Sequence, residues 1–218
     1  MEDFPQWNRH IVDLSDGVLY IGSESYLYRD TSSVNRMEYC ARNGDVLSVW
    51  NEFPEIDDDR KRFIMYYQDR VTLSPDETRM AIATSLGGIL EIFSLDDGII
   101  ENTATKYFIE PDFDVKENGG YSFNENTVES FNDLTSNEDK IYAVFGGRIL
   151  LKENFAKPVE DRDLVYTSIA VFDWKGSPEK IIHTDYRIEK ICLDEEENML
   201  YAVVNDIEGN AWIGRISI

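Results

Sequence analysis

Histidine and cysteine are almost absent: two of each in 218 residues. Two cysteines cannot build a disulfide framework, and no Cys-x-x-Cys pair suggests zinc. His10 and His183 fall far apart in sequence, with no Cys or His at metal-ligand spacing from either, so both read as structural histidines. Cys40 and Cys192 lie in apolar runs and read as buried thiols. No apolar run reaches the roughly 18 residues of a membrane helix. The opening residues, MEDFPQWNRH, carry neither the basic nor the apolar region of a signal peptide. There is no Gly-x-Ser-x-Gly elbow, no phosphate loop and no Gly-x-Gly-x-x-Gly, so no reaction announces itself. Positive charge is scarce too. Against 43 acidic residues stand 21 basic ones, a net charge of -22. Such a surface repels nucleic acid and anionic membranes.

What the chain has is short apolar and alternating runs rich in Val, Ile, Tyr and Phe, punctuated by Gly, Asn and Asp. This pattern predicts strands joined by turns, an all-β fold. Three polar stretches interrupt it, at residues 51 to 62, 111 to 130 and 151 to 163, and are expected to be surface loops.

The runs repeat. HIVDLSDGVLYIG, VTLSPDETRMAIA, NDLTSNEDKIYAV and ICLDEEENMLYAV begin at His10, Val71, Asn132 and Ile191, offsets of 61, 61 and 59 residues. Each has an apolar third residue (Val12, Leu73, Leu134, Leu193), then a small oxygen-bearing side chain (Asp13, Ser74, Thr135, Asp194). Such a side chain can accept a backbone hydrogen bond two residues on. Pro75 presets a type I turn, and Gly17 and Asn198 stand where a left-handed residue is expected late in the corner. Farther on, Asn43-Gly44 and Asp97-Gly98 signal a second hairpin. Two hairpins per repeat make a four-stranded antiparallel blade, so the expected fold is a β-propeller with about four blades in one domain over residues 1–218. The repeats run near 9–60, 61–122, 123–186 and 187–218. A period near 60 exceeds the roughly 40 to 50 residues of a usual blade, and the long loops account for the excess. Residues 1 to 8 offer a short strand to complete the last blade.

The corner LSPDETRMAIA and the stretch IAVFDWKGSPEKIIHTDYRIEKICLDEEENMLYAVV resemble the TolB-like six-bladed β-propeller family of Bacteroidetes type. Glu77 departs from the resemblance, standing where that corner has Gly. The resemblance implies protein-protein contacts in the cell envelope, and so a periplasmic or outer-membrane-associated binding scaffold that is not an enzyme. It also implies two N-terminal blades and a lipoprotein signal preceding these residues; without such a signal, a cytoplasmic location stays open.

Residues just ahead of the repeats are Arg9, Arg70, Phe131 and Lys190. In a propeller these equivalent positions form a ring, which predicts a cationic tunnel mouth for an anionic ligand or acidic peptide. Asn132 and Asp133, on an inner strand, are candidate ligands for a tunnel metal such as calcium in a lactonase or esterase reading. The acidic runs at Asp57 to Asp59, Asp112 with Asp114, and Asp194 to Glu197 could attract calcium but lack EF-hand spacing. Trp7, Trp50, Trp174 and Trp212 could stack on sugars in a glycan-binding reading.

Overall fold

The computed structural model describes residues 8–22, 35–67, 69–116, 120–150, 167–206 and 210–218. Trp7, the loop at 151–163 and a closing strand from residues 1 to 7 lie outside the described residues. Blade 1 contains β1 (Asn8–Asp13), β2 (Gly17–Gly22), β3 (Met37–Ala41) and β4 (Val46–Trp50). Helix α1 (Asp59–Tyr67) follows. Blade 2 contains β5 (Arg70–Leu73), β6 (Arg79–Ala83), β7 (Gly88–Asp96) and β8 (Ile99–Ile109). A two-stranded hairpin, β9 (Phe113–Val115) and β10 (Tyr121–Phe123), leads to blade 3. That blade contains β11 (Val128–Ser136), β12 (Lys140–Ile149), β13 (Ser168–Asp173) and β14 (Pro178–His183). Blade 4 has three described strands, β15 (Arg187–Asp194), β16 (Met199–Asn205) and β17 (Ala211–Ser217). Neighbouring strands within each sheet are antiparallel and in sequence order, as two hairpins per repeat require. The fold is an all-β propeller.

The corners work as hydrogen-bond devices, with two shifts from expectation. Asp76 accepts from the Thr78 amide at 3.1 Å, and Ser74 Oγ accepts from the Arg79 amide at 3.0 Å. In blade 3 the acceptor is Asn137, two residues beyond Thr135, which caps the amides of Asp139 and Lys140. Asn198 takes a left-handed φ of 53°, but Gly17 does not; in blade 2 the left-handed residue is Glu77, at φ 60°. Gly17 is needed for space instead, since a Cβ there would lie 2.4 Å from the Cys40 carbonyl oxygen. The Asp97-Gly98 turn has two positive φ angles, the geometry that matches strand twist in a two-residue hairpin.

Two of the expected surface loops are instead built into the core. Pro54 is buried, and Phe53 and Ile56 pack against the cluster shared by blades 1 and 2. Asp58 caps α1 by accepting from the Arg60 amide at 3.0 Å, and Asp57 pairs with Lys61 at 2.9 Å. This acidic run therefore serves the helix N-terminus, where negative charge is favourable. The helix then buries Ile64, Met65 and Tyr66 in the same cluster, beside Phe113 of the hairpin. Apolar side chains inside a polar stretch, once brought together by chain folding, outweigh its loop-like composition. Cys40 is buried, but Cys192 is exposed. Cys192 pairs with Tyr201 and, through it, Arg215, on the face of blade 4 turned away from blade 3.

Candidate binding site

The innermost strands of successive blades are laced together by polar contacts. His10 Nε2 lies 2.8 Å from Asp69 Oδ1, joining β1 to the start of β5. Arg70 Nε donates to the Asn132 carbonyl at 2.5 Å, and Arg70 Nη1 donates to the Asp69 carbonyl at 2.9 Å. Thr72 and Ser136 hydroxyls meet at 2.9 Å, and Ser136 Oγ donates to the Leu73 carbonyl at 2.6 Å. Asp133 accepts from Lys190 Nζ at 2.9 Å and from the Ile191 amide at 2.8 Å, joining β11 to β15.

The structure thus places the residues expected at the tunnel mouth in different settings. Arg70 is held by two carbonyls. Lys190 is paired with Asp133, though its side chain is 60% exposed. Phe131 is buried in the apolar cluster between blades 2 and 3. Arg9 stands in β1, and its side chain lies outside the described residues. Of the two candidate metal ligands, Asp133 has both carboxylate oxygens engaged by blade 4, and the Asn132 carbonyl receives Arg70. Among the described residues no group of three or more His, Cys, Asp or Glu side chains is arranged to hold a metal. Ser168 Oγ lies 3.2 Å from His183 Nδ1 on the outer strands of blade 3. Among the described residues that imidazole has no hydrogen bond to a carboxylate, the third group that orients a nucleophile-base pair.

Recesses open farther out, between the blades. Between blades 2 and 3 a cavity of about 300 Å³ is walled by Phe108, Phe131, Phe145 and Phe172, with Pro178 and Ile181 at β14. The Phe108 ring lies tilted 5.2 Å from Phe172, and Phe131 lies 5.8 Å from Phe145 and 6.1 Å from Phe172. Phe108 and Ile181 remain exposed at its mouth. A second recess of about 410 Å³, between blades 3 and 4, holds Tyr186 and Trp212 edge-to-face at 5.9 Å. Of the other tryptophans, the Trp50 indole donates to the Glu52 carbonyl and the Trp174 indole to the Asn137 carbonyl, with Arg79 stacked over Trp174.

A profile of the TolB-like 6-blade propeller-like family matches residues 8–196. The chain belongs to this family. Among solved structures, the TolB-like chain is similar to the hydrazine synthase of Kuenenia stuttgartiensis, at 9% identity and a TM-score of 0.51. That match covers 99% of this chain and 49% of the other, and shows the fold alone. It is also similar to a gluconolactonase from Xanthomonas campestris (12% identity, TM-score 0.46, 93% of this chain and 55% of that one). Sqt1 of Saccharomyces cerevisiae is comparable (10% identity, TM-score 0.48, 94% and 42%). The TolB-like chain spans about half the length of these three solved structures. Among curated proteins none matches it.

A further polar cluster of the TolB-like chain lies between blades 1 and 2. Arg36 is fully buried where it meets Glu91 of β7, at 3.1 Å and 2.5 Å, and donates to the Glu52 carbonyl. Its guanidinium sits over the rings of Phe53 and Tyr66, 4.4 Å and 4.6 Å from their centroids. Tyr66 Oη donates to Glu91 at 2.6 Å. Burial works most strongly against the charge on Arg36, but Glu91, Tyr66 and Asp69 together leave its pKa raised. Burial, then Glu91, holds the Tyr66 phenol well above its ordinary range. The signal was present in GILEIFSL, where Glu91 interrupts an otherwise apolar run. A buried acid in such a run demands a buried partner.

Proposed function

We propose that the chain is a non-enzymatic TolB-like binding scaffold that engages a protein or peptide partner in the bacterial cell envelope. The observation that supports this reading most is the engagement of the inner strands. Arg70, Asp133, Ser136 and Lys190 are held by neighbouring strands rather than converging on a substrate. A hydrolase needs a nucleophile, a base and an oriented third group, or a metal with an open position. A scaffold needs only a rigid frame presenting surfaces between its blades.

The test is a paired assay on the purified chain. Hydrolysis of glucono-δ-lactone and of a chromogenic acetate ester is followed with calcium and with EDTA, and thermal unfolding is recorded in both. The scaffold reading expects the buffer rate throughout and no calcium-dependent rise in Tm. Calcium-dependent turnover abolished by Asp133→Asn would overturn it in favour of a tunnel-metal lactonase. Turnover insensitive to EDTA but lost in Ser168→Ala would overturn it in favour of an esterase.

A further inference from the structure

Blades 2 and 3 are in close contact near the axis. Ala81 and Ala83 of β6 and Leu90 and Ile92 of β7 share one buried apolar cluster with Ile141 and Ala143 of β12. Farther out, the space between β8 and the β13–β14 hairpin is left unfilled. The phenylalanine-walled cavity occupies it. A void lined by aromatic rings forgoes dispersion contacts that a docked apolar group would restore.

We infer that this cleft receives one aromatic or large aliphatic side chain from an acidic, extended segment of a partner protein, a proposal that rests on the scaffold reading. Its volume, about 300 Å³, stands at the bottom of the range of ligand pockets and is ample for a single large side chain. Buried anchors of this kind dominate the energetics of protein interfaces. Charge supplies the second half. Of the charged residues in the lining, Glu179 is already paired with Lys140, whereas Lys180 has no carboxylate within ion-pair distance among the described residues. Nor does Lys106, two residues before Phe108 on β8, whose stem lies over Gly176 in the β13–β14 turn. On a chain of net charge -22, two uncompensated cations beside an apolar cleft select an acidic partner. The third element is the backbone. β14 pairs only with β13 among the described residues, so its outer edge can accept an added strand whose alternate side chains reach the cleft mouth. The exposed Ile181 stands at that edge, 58% accessible.

A phage-displayed library of random decapeptides panned on the whole chain tests this. Enriched peptides should share an aromatic or leucine residue with Asp or Glu within two positions. A synthetic peptide of the enriched sequence should lose about tenfold or more in affinity against Ile181→Glu, at an exposed site, and against Ala170→Phe, which fills the cleft. Lys180→Glu should weaken the acidic peptide and improve binding of its lysine-substituted counterpart. Thermal unfolding of each variant confirms that the frame is intact. Enriched peptides indifferent to these variants would overturn the cleft while leaving the scaffold reading in place. Absence of enrichment would overturn it too, as would saturable uptake of laurate in place of peptide, or a cross-link from a cysteine at position 181 to residues 151–166 of the same chain. The scaffold reading then stands or falls on the hydrolysis assay alone.

Discussion

Glu77 holds a left-handed backbone that glycine adopts freely, at a strain of about 1 kcal/mol for any other residue. Its carboxylate offsets part of that strain by accepting from the Ser15 amide at 2.7 Å, tying the corner of blade 1 to that of blade 2. Replacing Glu77 by alanine keeps the strain and discards the bond. Replacing it by glycine discards both. The glycine variant should therefore be more stable than the alanine variant by about 1 kcal/mol in urea unfolding, and equal stabilities would refute the strain. At Gly17 the constraint is space. Gly17→Ala pushes a methyl group against the Cys40 backbone and should cost about 1–3 kcal/mol. From the sequence the corners were legible because Pro75, Asp76 and Asn198 act through local hydrogen bonds and dihedral preferences. The reason for Gly17 was not, because the atom it must avoid is 23 positions away in the chain.

Helix α1 and the residues before it bind blade 1 to blade 2 through the Arg36, Glu91 and Tyr66 cluster. Removing one partner from a buried ion pair leaves an uncompensated charge, so Arg36→Ala should destabilise the chain by about 3–5 kcal/mol. The cluster also sets a pH limit. Because the folded Tyr66 pKa lies well above the ordinary value of 10.0, the unfolded chain releases this proton first as pH rises. Its contribution is complete below pH 10 and declines above it. Tyr39, also raised by burial and by Asp16, acts in the same direction. Tyr66→Phe should make the alkaline decline in Tm shallower, with the Tyr39 contribution remaining. None of this was legible from residues 51 to 62, where charged side chains dominate. The helix acquires its stability from Ile64 and Met65 only once blades 1 and 2 surround them. The strands, by contrast, declared themselves through alternation and paired hairpin signals.

Across the whole molecule, the blades are joined by apolar clusters between the sheets and by polar stitches along the inner strands. Asp133 joins blade 3 to blade 4 by two hydrogen bonds, and the Thr167 hydroxyl, accepting from the Ile188 amide at 2.8 Å, adds another. Asp133→Ala should leave the Ile191 amide without its partner and weaken the frame by about 1–3 kcal/mol. Hydrogen exchange should quicken in β15 and β16 while β6 and β7 keep their protection; uniform acceleration would mean that the stitch is not local. The repeat made the propeller legible at this scale, since four equivalent corners need equivalent surroundings. The cleft was beyond reach of a linear reading. Its four phenylalanines come from β8, β11, β12 and β13, and of these only Phe131 drew notice, for a place on the axis rather than between blades.

Binding of a partner protein at the phenylalanine cleft is the proposal that carries the scaffold reading of this molecule furthest. A photo-cross-linking amino acid placed at position 181, with one at position 99 as an equally exposed control on the blade 2 turn, tests it most directly. Irradiated in cells of the source organism, position 181 should give one discrete cross-linked protein that position 99 does not, and Ala170→Phe should abolish it. The same pattern from both positions, or a product that persists with the cleft filled, would contradict the claim.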